Sequence, residues 1–291
     1  MQALLYFLFL ISPLIALANP LSNVLRTISA DPDHQILSDT QLQAAKQYAK
    51  LMAAAICGPG QIGAFVCDAY CNEFPNTTAI QYFDVSPYDI NGYVARDDKL
   101  PYSFNDPSKG RVHQGFLNSY RSVAREILSS VTKQVETYPD YEVEVIGHSL
   151  GGALASLHAM DLWETNKIPK EKLVLVTVGE PRVGDARFAA RVDRAGILAK
   201  CLVSKRDIVA HIPPRLFGYK HHSSEIHTDS RITKQCRDPE DYACAYGEPG
   251  LTVIDHLVYI DVNMIQCAGD FIIQQLNDWF GGLSPQLLRS I

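Results

Sequence analysis

The chain has 291 residues, of which 47% are apolar and 20% charged; this is globular composition and excludes an intrinsically disordered chain. Net charge is −6, from 26 basic and 32 acidic residues, and with no basic block or stripe the sequence argues against nucleic acid as a partner. The length suits one large α/β domain or two small ones.

The first eighteen residues carry no charged side chain. Leu4 to Leu10 is an unbroken apolar run, extended by Ile11 and, past Ser12-Pro13, by Leu14 to Leu17. Ala16-Leu17-Ala18 then supplies a small-x-small cleavage site before Asn19. This is the pattern of a secretory signal peptide over residues 1–18, although no Lys or Arg precedes the apolar run. The competing reading is a membrane anchor, and Pro13 and the short apolar length count against it, since a span needs about 20 residues. No later stretch is a transmembrane segment. Residues 19–37 read as an N-terminal extension or pro-segment, and residues 38–291 as one domain.

Ser38-Asp39-Thr40-Gln41 is a capping box. The Ala-rich run from Leu42 to Ile56 after it is helical, and Gly58-Pro59-Gly60 stops it. Gln61 to Lys109 is strand and loop material, with short apolar pieces at Ala79 to Val85 and Tyr93 to Ala95. A helix over Phe116 to Tyr138 ends at Pro139, and Tyr141 to Ile146 is an alternating strand. A helical pattern runs from Leu150 to Trp163. Leu173 to Val178 is a continuous apolar run typical of a strand buried on both faces. Ala186 to Arg194 is helical, and Leu202-Val203 is a further short strand. The strand–helix alternation predicts an α/β fold with a mostly parallel central sheet flanked by helices.

Seven cysteines are present. Secretion favours disulfides, and an odd count leaves at least one thiol unpaired within the chain. Cys201, at the head of an apolar strand, is expected to be the free one, a small core hydrophobe. The C-x-x-x-C of Cys67 and Cys71 has no His pair beside it and reads as a local disulfide, so no metal site is expected. Asn76-Thr77-Thr78 is an N-glycosylation sequon in a polar turn.

One motif carries chemistry. Gly147-His148-Ser149-Leu150-Gly151 joins a strand directly to a helix, the context that G-x-S-x-G requires. Glycines two before and two after Ser149 remove side chains that would clash in so tight a turn. Ser149 is then held strained, with its hydroxyl projecting at a helix N-terminus that favours negative charge. The Leu150 N–H points to where an oxyanion would form. The alternative is a tight turn without chemistry. A serine hydroxyl needs a base oriented by a carboxylate, in chain order Ser, Asp or Glu, His. Candidate bases are His158, His211, His221, His222, His227 and His256. His158 lies on the helix after the serine and reads as packed or surface, and His221, His222 and His227 read as a solvated polar loop. His256, in a loop entering the apolar strand Leu257 to Ile260, sits where this architecture needs its base. Asp207, just past the strand Cys201 to Ser204, lies on the active-site edge of a parallel sheet. Its rivals are Asp185, which reads as a helix N-cap, Asp193, Glu225 and Asp255; the last adjoins His256 too closely to bond the same ring's Nδ1.

Taken together, Gly147 to Ala153, Glu180-Pro181-Arg182-Val183-Gly184-Asp185, Arg206-Asp207-Ile208-Val209-Ala210-His211-Ile212-Pro213-Pro214, Asp255-His256-Leu257-Val258-Tyr259 and the upstream Val112-His113-Gln114-Gly115-Phe116 resemble the fungal class 3 lipases of the secreted mucoralean type. The likeness runs from about Ser38 to Cys267. It implies an α/β-hydrolase fold, a Ser149–Asp207–His256 triad, no cofactor, and acylglycerol esters cleaved at a lipid–water interface; with the leader pattern of residues 1–18, the expectation is a secreted, extracellular, monomeric enzyme. It also implies disulfides Cys57–Cys267, Cys67–Cys71 and Cys236–Cys244.

The sequence departs from the family after Gly92-Tyr93-Val94-Ala95-Arg96. The family continues with an apolar strand ending in Phe-Arg-Gly-Ser or Thr, then a lid. Here Arg96 to Leu100 runs straight into Pro101-Tyr102-Ser103-Phe104. The second oxyanion donor, the lid and a strand beside the nucleophile strand are all missing. Losing one oxyanion donor costs about 10²–10³ in rate. Three readings stay open: a truncated gene product, a lidless esterase acting on soluble or cell-wall esters, and a hydrolase-like protein that binds lipid without turnover. A second departure is Ile226 after Glu225, where the family has an aromatic residue.

Overall fold

A computed structural model describes residues 10–12, 24, 36–55, 70, 99–101, 109–165, 168–222, 224–229 and 232–265. In chain order the elements are β1 (Leu10–Ser12), α1 (Asp39–Ala55), β2 (Lys99–Pro101), β3 (Arg111–His113), α2 (Gln114–Thr137), β4 (Val143–His148), α3 (Leu150–Glu164), β5 (Leu173–Val178), β6 (Gly184–Asp185), α4 (Ala186–Ala195), β7 (Leu198–Ser204), β8 (Tyr219–Lys220), β9 (Ser224–Thr228), β10 (Thr233–Gln235), β11 (Val258–Tyr259) and β12 (Val262–Asn263). The main sheet has the order β1-β4-β5-β7-β9-β10, parallel from β4 to β9 with an antiparallel strand at each edge.

Period-two alternation divides the strands between two cores. On β4 and β5, Val143, Val145, Leu173 and Leu175 point toward α2, α3 and α4. Ile146, Val174, Val176 and Val178 point the other way, onto Tyr48, Leu51 and Met52 of α1. Each such side chain taken from water contributes about 1.5–3 kcal/mol. Helix α3 is buried on almost every side, from Leu150 to Leu162, as its uninterrupted small and apolar sequence requires. The capping box closes reciprocally: Ser38 N donates to Gln41 Oε1 at 2.9 Å, and Gln41 N to Ser38 Oγ at 3.4 Å.

Two features differ from expectation. The side of β4 left without a strand by the short Arg96–Pro101 stretch is paired with β1, Leu10 opposite Ile146 and Ser12 opposite Glu144; this strand comes from the stretch read as a leader. His221, His222 and His227 are not in a solvated loop. All three are buried: His227 lies on Ser224–Thr228, an interior strand between β7 and β10, and His221 and His222 lie just before it. The strand reads Ser-Glu-Ile-His-Thr with Ile226 as its one apolar residue, so the burial of Glu225 and His227 depends on polar partners that only the folded chain supplies. Cys236 and Cys244 are disulfide-bonded, and Cys201 is free and buried. Asn76, Cys57, Cys67, Cys71, Cys267 and the segment of the departure before Lys99 lie outside the described residues.

Candidate active site

Ser149 occupies the single residue between β4 and α3, with φ 57° and ψ −129°. This left-handed backbone is costly for a residue with a side chain. It is held by the flanking structure: Ser149 N donates to Val178 O at 2.9 Å, and Gly152 N donates back to Ser149 O at 2.9 Å. A Cβ on Gly147 would stand 2.1 Å from Gly151 O, and one on Gly152 3.1 Å from Glu180 Cβ. The first glycine is therefore obligatory for the turn, and the second lets α3 lie close to the loop after β5. Leu150 opens α3, where the first N–H groups of a helix lack intrahelical acceptors and face outward as donors.

Asp207 and His256 come from different loops and meet. Asp207 follows β7 through a turn closed by Asp207 N to Ser204 O (2.9 Å). His256 ends a short 3₁₀ turn just before β11. The two loops are laced together, since Ile208 N donates to Thr252 O (3.1 Å) and Thr252 N to Arg206 O (2.8 Å). Asp207 Oδ2 lies 2.9 Å from His256 Nδ1, and both residues are buried. Val209 N donates to Asp207 Oδ1 at 2.8 Å, and the Tyr259 hydroxyl donates to Oδ2. Burial alone would raise the Asp207 pKa, but His256 and the Tyr259 and Val209 donors outweigh it and hold the carboxyl below its ordinary value. Asp207 is thus a carboxylate, which only accepts, so the hydrogen in its contact with His256 lies on Nδ1.

The rivals have other partners. Asp185 caps α4, accepting from Arg187 N and Phe188 N at 3.0 Å each. Asp193 is exposed on α4. Asp255 turns away to Thr252 Oγ1 (2.8 Å) and Arg206. Glu225 accepts from Ala245 N at 3.1 Å, and burial pushes its carboxyl up to about 8. Among the histidines, His158 is fully buried beside Tyr120. His211 lies between the carbonyls of Asp207 (2.7 Å) and Ala245 (3.0 Å). His221 bonds Ala210 O (2.6 Å), and His227 lies 3.1 Å from Lys205 O. His222 pairs with Glu180 at 3.1 Å; burial disfavours the charged ring, yet the Glu180 carboxylate raises its pKa.

Three residues around the Asp–His pair had no role in the sequence reading. Tyr259 has just been placed. Gly179 has φ +58°, and a Cβ on it would lie 2.1 Å from Tyr259 Oη, 2.7 Å from Asp207 Oδ2 and 2.8 Å from His256 Nδ1. His148 stacks on His256, ring centroids 4.5 Å apart and planes 23° from parallel. Tyr259 and His148 stood inside motifs; Gly179 stood beside one, and nothing local marked its positive φ.

A mostly parallel sheet with a serine elbow after an inner strand is the arrangement of the α/β-hydrolases. The chain matches the class 3 lipase family over residues 84–217, a span that includes Ser149 and Asp207. It is 33% identical over 275 residues to a lipase of Rhizomucor miehei, covering 84% of this chain and 76% of that one. It is 33% identical over 146 residues, 46% of this chain and 34% of the other, to secreted mono- and diacylglycerol lipase 2 of Gibberella zeae. Among solved structures it resembles a triacylglycerol lipase whose catalytic centre is a serine-protease triad, with TM-score 0.69, 31% identity, and coverage of 81% of this chain and 100% of that one. The chain belongs to the class 3 lipase family, and is a carboxylic ester hydrolase with the α/β-hydrolase fold.

Proposed function

We propose that the protein is a secreted acylglycerol lipase in which Ser149 is the nucleophile, His256 the general base and Asp207 the residue that orients it. The observation that carries this reading is the buried 2.9 Å contact between Asp207 and His256 Nδ1, on the sheet whose inner strand β4 ends at the Ser149 elbow. His256 Nε2 takes the hydroxyl proton as Ser149 Oγ attacks the ester carbonyl. Asp207 keeps the ring in that tautomer and stabilises the imidazolium. The Leu150 N–H donates to the tetrahedral oxyanion. The imidazolium then protonates the leaving alkoxide, and water, deprotonated by His256, releases the fatty acid from the acyl-enzyme.

Acylglycerol as substrate rests on the relatives, one a triacylglycerol lipase and another a secreted mono- and diacylglycerol lipase. Secretion rests on the leader pattern of residues 1–18 and on that second relative. The mature chain is a monomer, glycosylated at Asn76 and cross-linked at Cys57–Cys267 and Cys67–Cys71 besides Cys236–Cys244. Residues 19–37 precede the lipase domain of residues 38–291. Removal of the leader takes β1 with it and makes β4 an edge strand. A fluorophosphonate tests the triad: it should label Ser149, located by peptide mass spectrometry, and Asp207→Asn should slow labelling about 10⁴-fold by admitting the wrong His256 tautomer. Labelling elsewhere, or equally fast in the variant, contradicts it.

One observation favours a second reading. Lys99–Pro101 already pairs with β3, so only residues 97 and 98 separate Arg96 from a strand, and no lid fits between. A lidless enzyme would hydrolyse short soluble esters with no jump in rate when the ester forms an interface.

A further inference from the structure

The residue before the nucleophile in sequence touches the proposed base. His148 is buried at the end of β4, and its ring lies against the face of His256 at 4.5 Å. The Tyr259 ring meets it edge-on at 5.8 Å and 79°. His148 Nε2 is 3.1 Å from the carbonyl oxygen of His256. A carbonyl only accepts, so Nε2 carries the hydrogen. Burial, chiefly, and then the neighbouring His256 depress the His148 pKa to about 3. The ring is therefore neutral at working pH, with the lone pair on Nδ1.

We infer that His148 is a positioning residue for the hydrolytic reaction, holding the His256 ring by its face and backbone and stabilising the imidazolium formed when Ser149 gives up its proton. The inference rests on the triad reading given above. Among the described residues, the groups facing His256 are few. Asp207 and Tyr259 hold its Nδ1 edge, and Asp255, the preceding residue, is taken up by Thr252, Arg206 and Lys205. Among the described residues, the ring stacked on its face is that of His148. A charged ring there would repel the imidazolium. A neutral π face within about 6 Å of a cation attracts it, most strongly where water is excluded. That attraction exists only while His256 is charged, so it favours the transition state over the resting enzyme. The carbonyl bond acts in both states and fixes where the ring sits.

His148→Phe and His148→Leu separate the two effects. Both lose the donor to the His256 carbonyl, and only Phe keeps a π face. Turnover of p-nitrophenyl butyrate should fall in both. The Leu variant should fall further, by about 3- to 30-fold in kcat relative to Phe with KM unchanged. The acid limb of its kcat/KM profile should also lie at lower pH than that of Phe, because its imidazolium has lost a stabilising face. Equal kcat and coincident limbs in the two variants overturn the inference. So does loss of folding in either, followed by circular dichroism, because the position would then serve packing alone. Ser149→Ala is measured alongside. If it remains active, the triad reading itself fails; if it is inactive while Phe and Leu agree, only the role of His148 fails.

Discussion

Replacing Gly179 by alanine puts a methyl group into the Asp207–His256 contact without touching either residue's chemistry. The added carbon would lie 2.1 Å from Tyr259 Oη, 2.7 Å from Asp207 Oδ2 and 2.8 Å from His256 Nδ1. Ordinary contact begins near 3.4 Å, so these atoms must retreat by roughly 0.6–1.3 Å, and misplacement on that scale costs about 10² in rate. If the retreat breaks the Asp207 bond, the His256 tautomer is lost as well and the fall approaches about 10⁴. The φ of +58° adds a backbone cost of about 1–2 kcal/mol for any residue with a Cβ. Steady-state kcat on p-nitrophenyl butyrate, with a melting curve for each protein, measures both effects. The expected outcome is a folded protein, a few degrees less stable, with kcat down at least 100-fold. A Gly179→Ala protein with wild-type kcat would show that the Asp207–His256 contact does not set the rate.

Three further outcomes are expected. Ser149→Gly should abolish turnover and melt about 2–4 °C higher, because glycine relieves about 1 kcal/mol of strain at φ 57°; a lower melting point contradicts the strained elbow. Arg182→Ala should destabilise by about 2 kcal/mol in urea denaturation, because Arg182 Nε holds the half-buried Glu240 at 2.8 Å and its Nη1 donates to the carbonyls of His211 and Pro213; a loss under about 1 kcal/mol shows that the loop after Asp207 stands without this clamp. The Glu225 carboxyl is raised by burial to about 8 when folded, against about 4.3 unfolded. Its contribution to stability is therefore fully present below about pH 4 and is lost as pH rises through 8. Glu225→Gln should gain on the wild type in melting temperature from pH 5 to pH 9, and parallel curves across that window would contradict the assignment.

What the sequence made legible follows from how local each signal is. The strand Leu173–Val178 and the helix from Leu150 are set by continuous runs, and both were expected within a residue of where they lie. The capping box of Ser38 and Gln41 and the N-cap of Asp185 are local hydrogen bonds, readable from four residues. Asp207 could be chosen only by its place after a strand, and the fold brings it to His256 across 49 residues. Strand β9 was not legible, because Ser224–Thr228 is mostly polar and its burial depends on partners such as the Lys205 carbonyl for His227 and the Ala245 N–H for Glu225. Gly179 was not legible either. The reason it must be glycine is three side-chain atoms from residues 28 to 80 positions away.

Ester hydrolysis by Ser149 underlies every kinetic outcome above. It is checked by hydrolysis of p-nitrophenyl butyrate and emulsified tributyrin by the purified protein, measured beside Ser149→Ala. Turnover of both esters should vanish in the variant while its circular dichroism is unchanged. Undiminished hydrolysis by Ser149→Ala, or no hydrolysis by a folded wild-type protein, would contradict it.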